Sequence, residues 1–476
     1  MSTGTNFIGY RSTRSSKATD ATADVAAEPV DFSTAIRSGL APDGGLFCPV
    51  EIPKLADLSG IDPHDYVSVA RKVMWPYVEG SIEQDAFNTI VGEAYRSFRH
   101  PDICPVIDLG GGHHLLDLTQ GPTLAFKDVA LQLVGRLLDH LLTQANERVV
   151  VIGATSGDTG SAAIEALAGR DRVTVVMLHP NGRVSEVQRR QMTTVNVPNI
   201  HNLAVEGNFD DCQDLVKASF AATEITNVHQ LSAVNSINWA RVMAQMVYYV
   251  TAARTVAPDG GPVSFSVPTG NFGNVLSGWY AKRMGLPVDQ LVVASNRNDI
   301  MTRYFSTGSL DAHEVVPTLS PSMDIQISSN FERLLWEASA RDGEAVADLI
   351  GRFRSTGSAE VPAVWHEAIT AEFSAGRLDD DGTLAEIARV HDEFGLVIDP
   401  HTAVGLAAAR QHHRDRSIPM VTLATADPAK FGDAVKRATG VDPQLPDHLA
   451  ELHARTEHYD VVENSIESIT DWFERL

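Results

Sequence analysis

The clearest pattern along the chain is a short apolar run, then a glycine-rich turn, then a longer segment of helical composition. Residues 149–152 are apolar and mostly β-branched, and Gly, Ser and Thr follow them before an Ala-rich stretch. The same order recurs over residues 263–282. Apolar runs at 173–178, 291–295 and 420–424 predict further buried strands. Alternating strands and helices predict an α/β fold, with parallel sheets covered by helices on both faces.

The first hundred residues follow a different pattern. Amphipathic segments at 66–74 and 82–98 alternate with loops, so we expect a mainly helical N-terminal region. A Ser/Thr/Ala-rich stretch precedes Ala27, and no continuous apolar run follows the basic residues Arg11 and Arg14. A frayed polar start is expected, with a transit peptide as the alternative.

Composition narrows the class of protein. The 476 residues predict two to four domains, and 38 Lys and Arg against 61 Asp and Glu give a net charge of −23. This charge argues against nucleic acid or an anionic membrane as a partner, but allows a small anionic ligand, because bulk charge is screened beyond about 8 Å. Three widely spaced cysteines indicate a reducing compartment, and no apolar run reaches the ~18 residues of a membrane span. We expect a cytoplasmic protein.

Two turns at the ends of predicted strands are candidate anion sites. In Thr269-Gly-Asn-Phe-Gly-Asn274, two glycines let backbone N–H groups approach an anion, and a helix N-terminus adds roughly half a positive charge. An ordinary tight turn is the alternative. Thr155-Ser-Gly-Asp-Thr-Gly160 offers hydroxyls and a carboxylate, although Asp158 or Ser156 could simply cap the following helix. Neither turn matches a dinucleotide or P-loop motif, so a nucleotide-binding module is disfavoured.

One lysine stands at a helix start among apolar neighbours. Lys127 follows Leu-Ala-Phe and precedes a periodic apolar helix. The side chain of an isolated lysine could extend to the surface. If it is buried, its pKa falls from about 10.4, and the resulting neutral amine suits Schiff-base chemistry with a carbonyl cofactor.

Three segments stand in a characteristic order along the chain: Thr123-Leu-Ala-Phe-Lys-Asp128, Ser156-Gly-Asp-Thr-Gly160 and Pro268-Thr-Gly-Asn-Phe-Gly273. Supporting segments are Leu40-Ala-Pro-Asp-Gly-Gly-Leu-Phe47, Asn235-Ser-Ile-Asn-Trp-Ala-Arg241, Ser320-Pro-Ser-Met-Asp-Ile325, Asn330-Phe-Glu-Arg-Leu334, Asp399-Pro-His-Thr-Ala-Val-Gly405 and Ala426-Asp-Pro-Ala-Lys-Phe431. Together, from about residue 8 to 435, they resemble the threonine synthase family in its long bacterial and fungal form. That family consists of pyridoxal 5'-phosphate (PLP) enzymes of the tryptophan-synthase-β-like fold, fold type II.

The resemblance implies a cofactor role for each matching residue. Lys127 would hold PLP through an imine and then move protons as general acid and base. Asp158, with Ser156 and Thr159 beside it, would lie near the ring O3′ or the substrate carboxylate. Thr425 would contact the pyridine nitrogen through its hydroxyl, with a plain strand-end hydroxyl as the alternative. The cofactor phosphate would be bound by backbone N–H groups of Gly270, Asn271, Phe272, Gly273 and Asn274.

The implied substrate is O-phospho-L-homoserine, and the products are L-threonine and phosphate, in the last step of threonine biosynthesis. The substrate phosphate needs its own donors, and the candidates are Asn238 and Arg241, with Arg333 as a weaker alternative. Each could instead be a structural helix residue. Asp427 departs from the histidine expected there, and Lys430 beside it is either an anion partner or a solvated surface residue. No metal site is expected.

The resemblance also divides the chain. It implies an N-terminal region over residues 1–95, a large cofactor domain over 96–145 and 255–476, and a small inserted α/β domain over 146–254. We expect a monomer or a homodimer.

Two other interpretations compete. A threonine or serine dehydratase usually carries Ser-Phe-Lys and Ser-Gly-Asn, whereas this chain has Ala125-Phe-Lys and Ser156-Gly-Asp. A related protein that binds PLP without catalysis would be expected to have lost the lysine or the glycine turn, and both are intact. The sequence therefore favours an active enzyme, a lyase that acts on a phosphate ester.

Overall fold

The computed structural model describes residues 7–15, 28–55, 60–233 and 236–476. Most of the polar stretch before residue 27, and Asn235 of the quoted motifs, lie outside these residues. Up to residue 233, the elements are β1 (Tyr10–Ser12), α1 (Phe32–Ser38), β2 (Phe47–Pro49), α2 (Tyr66–Val78), α3 (Gln84–Ala94), β3 (Val106–Gly110), β4 (His113–Asp117), α4 (Lys127–Ala145), β5 (Val149–Ala154), α5 (Asp158–Leu167), β6 (Val173–Pro180), α6 (Glu186–Thr193), β7 (Ile200–Val205), α7 (Phe209–Ala221), α8 (Thr223–Thr226) and β8 (Leu231–Ala233).

The rest of the chain is also mixed helix and strand. Its elements are α9 (Trp239–Val256), β9 (Val263–Pro268), α10 (Gly273–Met284), β10 (Val288–Ser295), α11 (Ile300–Thr307), β11 (Ser309–Asp311), α12 (Phe331–Ala338), α13 (Gly343–Thr356), β12 (Ser358–Glu360), α14 (Ala363–Thr370), β13 (Phe373–Arg377), α15 (Asp380–Phe394), α16 (Pro400–His412), β14 (Met420–Ala424), α17 (Gly432–Thr439), β15 (Asp460–Val462) and α18 (Ile466–Phe473).

The predicted fold class is confirmed. Each apolar run that predicted a strand lies within one, namely β5, β6, β9, β10 or β14. The helical N-terminal region is present as α1, α2 and α3, together with the three-residue strands β1 and β2. The reason is local, because β-branched runs bounded by glycine turns favour buried strands over helices.

The chain forms two compact units, which are described separately. The larger comprises Met1–Gln120 and Ser236–Pro443, and the smaller comprises Gly121–Asn235 and Gln444–Leu476. The sequence-based domain limits after residues 95, 145 and 254 stay a prediction. The helix that begins at Lys127 and the last 33 residues of the chain both belong to the smaller unit.

The smaller unit is built on a parallel sheet with the strand order β15-β7-β6-β5-β8. Successive side chains of β5 alternate between its two faces, as the period of a strand requires. Val149 and Val151 pack with residues of α4 and α5, whereas Val150 and Ile152 pack with residues of α7 and α18. The all-apolar run that predicted β5 is therefore explained by burial on both faces.

An ion pair attaches the C-terminal segment of this unit to α6. Arg189 donates from Nε and Nη2 to the two carboxylate oxygens of Glu457, at 2.8 and 3.0 Å. The hydroxyl of Thr193 donates to the same carboxylate at 2.7 Å. These donors lower the pKa of Glu457 from 4.5 to about 2, with the Arg189 hydrogen bond as the largest cause.

Glu457→Gln is expected to lower the free energy of unfolding at pH 7 by about 1–2 kcal/mol, as loss of charge-assisted hydrogen bonds usually does. Because the folded-state pKa of Glu457 is depressed, its contribution is present above about pH 4.5 and is lost as the pH falls toward 2. The melting temperatures of the variant and the parent should therefore become equal as the pH falls toward 2. Asp214→Asn, at an exposed ion pair, is the control and should change little at any pH. If the melting temperatures of Glu457→Gln and the parent differ by the same amount at every pH, the ion pair of Glu457 is not the cause of the difference.

The larger unit holds a six-stranded sheet of order β13-β10-β9-β14-β4-β3, in which only the β3–β4 pair is antiparallel. Helix α16 packs against β9, β10 and β14, and α9 packs against α10. Strands β9 and β14 are parallel neighbours, so the loops after them leave the same edge of the sheet. Ligands of such sheets bind at this edge.

None of the described helices is long and apolar enough to cross a membrane.

Candidate active site

In the smaller unit, Lys127 is a buried lysine at the first position of α4. Its side chain is 10% exposed, and its Nζ lies 3.3 Å from Oδ2 of Asp158. The ammonium also lies 5.7 Å from the ring centre of Phe126. The alternative in which Lys127 extends to the surface is therefore wrong. The amine of Lys127 is therefore shielded from bulk water and lies beside the carboxylate of Asp158.

The chain just before Lys127 is held by its neighbour Asp128. The fully buried Asp128 carboxylate accepts hydrogen bonds from the backbone N–H and the hydroxyl of Thr123, at 2.8 and 2.6 Å. Between them, Leu124 has a φ of +64°, a left-handed conformation that is rare for a branched side chain. Such strain persists only where surrounding contacts hold it, and it concentrates at functional sites.

The turn after β5 presents Asp158 to the lysine. Asp158 begins α5 and is 4% exposed, and its Oδ1 accepts from Nε2 of Gln188 at 2.8 Å. Thr159 is partly buried and Ser156 is exposed. Gln188 lies on α6, thirty residues away, and no pattern in the sequence indicated it.

The alternative in which Asp158 or Ser156 caps α5 is wrong. The cap position is Gly157, and the hydroxyl of Thr155 accepts from the N–H groups of Gly157 and Gly160, at 3.0 and 2.9 Å. Gly157 has a φ of +144°, which only glycine adopts readily. Because Thr155 satisfies the helix start, the carboxylate of Asp158 is left for Lys127 and Gln188.

In the larger unit, the glycine turn after β9 opens helix α10. Phe272 stands at the cap position with a φ of +63°, a second strained non-glycine residue within a predicted site. The hydroxyl of Ser328 donates to the carbonyl of Gly270 at 2.6 Å, and Asn330 donates to that of Asn271. These two side chains hold the turn through its carbonyl groups. The backbone N–H groups of the turn take no part in these bonds.

Three observations test whether this turn fits a phosphate group. Among the described residues, no acceptor bonds the backbone N–H groups of positions 270–274. Asn274 Oδ1 accepts from the hydroxyls of Tyr248 and Tyr249, at 2.6 and 3.0 Å, and its buried Nδ2 has no partner in the part of the chain that the structure describes. A Cβ at Gly270 would lie 2.8 Å from the Ser322 carbonyl oxygen, so the backbone is closely packed from behind. Unused donors on a fixed backbone at a helix N-terminus fit an anion.

Thr425 follows β14 and is 5% exposed. Because β14 and β9 are parallel neighbours, Thr425 and the glycine turn lie at the same edge of the sheet. Asp427 caps the short 3₁₀ turn that follows, accepting from the N–H of Ala429 at 2.9 Å, and burial raises the pKa of its carboxyl. Lys430 is 2% exposed, so the interpretation of it as a solvated surface residue is wrong.

The two candidates for the substrate phosphate lie at the start of α9 but differ in their contacts. Asn238 caps the helix, accepting from the N–H of Ala240 at 3.0 Å, while its Nδ2 donates to the carbonyl of Ile36 at 2.9 Å. Arg241 is 5% exposed, and its buried Nε and Nη1 have no partner in the described structure. Burial lowers the pKa of Arg241 to about 10, against a smaller opposite effect of Tyr248. A buried cation with unused donors points to an anion that completes the site.

Arg333, the weaker candidate for the substrate phosphate, has its guanidinium bonded to other groups of the protein. It is fully buried, and its guanidinium donates to the backbone carbonyls of Phe47 and Ile237 and to the side chain of Asn330. These bonds give Arg333 a structural role rather than that of a substrate ligand. The helix pattern could not indicate this, because Phe47 lies 286 residues earlier in the chain.

No group of three or more His, Cys, Asp and Glu residues that could hold a metal ion occurs in the described ranges. The structure brings Lys127 together with Asp158 in the smaller unit. In the larger unit, Tyr248, on the same helix α9 as Arg241, donates a hydrogen bond to Asn274 of the glycine turn.

Three family models match the chain in consecutive segments. The threonine synthase N terminus matches residues 9–95, the pyridoxal-phosphate dependent enzyme model matches 109–372, and the threonine synthase C-terminal model matches 402–472. Together they cover most of the sequence.

Individual proteins agree with these models. The threonine synthase of Pseudomonas aeruginosa is 49% identical over 93% of this chain and 95% of its own length. The PLP-bound threonine synthase structure from Brucella melitensis superposes with a TM-score of 0.93 at 47% identity, covering 98% of this chain and 99% of that one. The yeast threonine synthase structure gives 0.91 at 38% identity, covering 98% of both chains. The sequence-based resemblance and the expected fold type are confirmed, and the chain belongs to the threonine synthase family.

Proposed function

We propose that this chain converts O-phospho-L-homoserine and water to L-threonine and phosphate, with PLP as its cofactor. The observation that carries the proposal is the buried amine of Lys127, held 3.3 Å from Asp158 in a chain that matches the family along most of its length. In enzyme-class terms, the proposal is a carbon–oxygen lyase that acts on a phosphate ester.

The residues present fit the aldehyde and the phosphate group of PLP, each taken by itself. The amine of Lys127 would bind the aldehyde, and the N–H groups of residues 270–274, with Nδ2 of Asn274, would bind the phosphate. The hydroxyl of Thr425 would face the pyridine nitrogen and, being neutral, would hold it without forcing its protonation. When bound, PLP supplies an electron sink that makes the Cα–H and then the Cβ–H of the substrate acidic.

The chain's own residues would handle the protons. Lys127 is the proposed acid and base: it would take the proton from Cα, pass protons at Cβ and Cγ, and return one to Cα at the end. Asp158 would keep the amine in place, since its carboxylate is itself held by Gln188 at 2.8 Å. The 10% exposure of the Lys127 side chain limits competing proton exchange with bulk water.

Arg241 is the proposed donor to the γ-phosphate of the substrate. Its two unpartnered buried nitrogens could both be satisfied by one phosphate, and a guanidinium matches phosphate in a bidentate manner. Asn238 would contribute chiefly by capping α9 and so orienting its first turn. Ser156 and Thr159 stay predicted contacts to the substrate.

The deciding experiment incubates purified, PLP-loaded protein with O-phospho-L-homoserine and measures phosphate and threonine together. Equal amounts of both products are expected. Phosphate with a keto acid and no threonine would identify an eliminating enzyme instead. Threonine and serine as substrates test the dehydratase interpretation directly.

Gly270→Ala is expected to raise the Kd for PLP at least about tenfold, because loss of hydrogen bonds to a charged group usually costs about 1.5–3 kcal/mol. The new methyl group would meet the Ser322 carbonyl oxygen at 2.8 Å and Ile325 at 3.0 Å, so the turn must shift. Absorbance titration of the apoprotein measures this Kd. Gly351→Ala, at a helical glycine with open space around it, is the control and should leave the Kd unchanged. An unchanged Kd in Gly270→Ala would remove this turn from the cofactor site.

We also propose a cytoplasmic location and a monomer or homodimer. Cell fractionation and analytical ultracentrifugation test these two points.

A further inference from the structure

One buried side-chain amide in the larger unit joins the glycine turn to the segment that carries Arg241. The backbone N–H of Asn330 donates to the carbonyl of Asn271 at 3.1 Å. Its Nδ2 donates to the same carbonyl at 3.0 Å and to the carbonyl of Ser236, also at 3.0 Å. Asn330 is fully buried, so water does not compete for these bonds. The two amide protons thus connect two loops that are far apart in the sequence.

Arg333, one helical turn later, holds the amide in this orientation. Its Nη1 donates to Oδ1 of Asn330, which leaves the amide nitrogen facing the two carbonyls. Its Nη2 donates to the carbonyls of Ile237 and Phe47, at 2.6 and 2.9 Å, and its Nε also donates to Phe47, at 3.0 Å. The segment that leads into α9 therefore accepts hydrogen bonds at two successive carbonyls: Asn330 donates to Ser236, and Arg333 donates to Ile237.

We propose that Asn330 and Arg333 are positioning residues that set the cofactor-phosphate turn and the substrate-phosphate segment at a fixed separation. The proposal rests on the assignment of these two segments to the two phosphates under the proposed function. Neither residue is argued to touch PLP or substrate. Both would act through the backbone of residues 236–241 and 270–274, because they bond to each of these two segments directly.

The choice of substitution follows from the hydrogen bonds. Asn330→Asp keeps the size of the side chain and the oxygen that accepts from Arg333. It replaces the donating nitrogen by an oxygen that faces the carbonyls of Asn271 and Ser236, so both links become repulsive. Ser328→Ala is the matched control, because Ser328 donates to Gly270 of the same turn and, within the described ranges, bonds to none of residues 236–241.

Two affinities are measured. Absorbance titration of the apoprotein gives the Kd for PLP, and calorimetry on the PLP-saturated protein gives the Kd for inorganic phosphate, which then reports on the substrate-phosphate segment alone. Asn330→Asp is expected to raise both Kd values at least about tenfold. Ser328→Ala is expected to raise the Kd for PLP and leave that for phosphate within twofold.

A merely structural role for Asn330 would lower the melting temperature without changing the phosphate Kd at PLP saturation, and that result overturns the proposal. If Asn330→Asp does not fold, Asn330→Ser, which removes the bridge without adding charge, is judged by the same two affinities. Failure of the proposed function is a separate outcome. A wild-type protein that binds phosphate in an Asn330-dependent manner but makes no threonine would retain the positioning role and lose the reaction.

Discussion

Lys127→Ala is expected to lower threonine formation by more than about 10³-fold, since the proton transfers alone contribute about 10²–10⁴-fold and the covalent attachment of the cofactor is lost as well. The side chain that disappears is buried at the start of α4 and pairs with Asp158 at 3.3 Å. Coupled assays of threonine and phosphate release measure the loss.

A chemical readout separates this effect from misfolding. Borohydride treatment of the PLP-loaded parent, followed by proteolysis, should place the cofactor on the peptide that contains residue 127, and no peptide of the variant should carry it. Lys217→Ala removes an exposed lysine of the same unit and should leave both the label and the turnover unchanged. A Lys127→Ala protein that retains a tenth of the parental activity would exclude the proposed chemistry.

Arg241→Met is expected to weaken catalysis and strengthen the fold at the same time. Loss of hydrogen bonds from a guanidinium to a phosphate should lower kcat/KM about 10–150-fold, from about 1.5–3 kcal/mol. The pKa of Arg241 is lowered to about 10, so the folded state disfavours the charged form at all lower pH values. A pKa depression of that size means that burying the charge destabilises the folded state by about 3 kcal/mol. Methionine has a similar length and no charge, so it avoids this cost. The unliganded variant should therefore melt at a higher temperature than the parent.

Added phosphate discriminates between the two effects. For the PLP-loaded parent, inorganic phosphate should raise the melting temperature by mass action, and it should not do so for Arg241→Met. Arg254→Met, near the other end of α9, is the control, because the guanidinium of Arg254 already donates to the carbonyl of Pro258. A variant that is both less stable and fully active would mean that Arg241 is a structural residue.

The candidate site shows where sequence reasoning reached its limit. The signature segments located Lys127, Asp158, the glycine turn and Arg241, because each motif is local and keeps its residue types in order. Their partners were not located. Gln188 and Ser328 lie about thirty and sixty residues from the groups they hold, and nothing in their own neighbourhoods distinguishes them from solvated polar residues. Asn330 begins one of the supporting segments, but that segment does not indicate its bonds to Asn271 and Ser236.

The roles of cations were the hardest to predict. Lys127 and Lys430 both stand beside phenylalanine in the sequence, and surface exposure was an open alternative for each, yet both are buried. Arg333 and Arg241 are both buried arginines on helices. Arg333 donates to carbonyls of distant loops, whereas Nε and Nη1 of Arg241 have no partner among the residues that the structure describes. Only the folded chain distinguishes the structural guanidinium from the one that can accept a ligand.

The amino-acid order is sufficient for the α/β class, for the positions of the buried strands and for the family, because hydrophobic periodicity and short motifs act between residues close together in the chain. The fastening of the glycine turn by Ser328 and Asn330, the capping of α5 by Thr155 and the unused donors of Arg241 depend on packing between distant segments. Hydrogen bonding in a desolvated interior is decided by which polar groups the fold brings within about 3 Å of one another, and that separation is a property of three-dimensional packing rather than of sequence spacing.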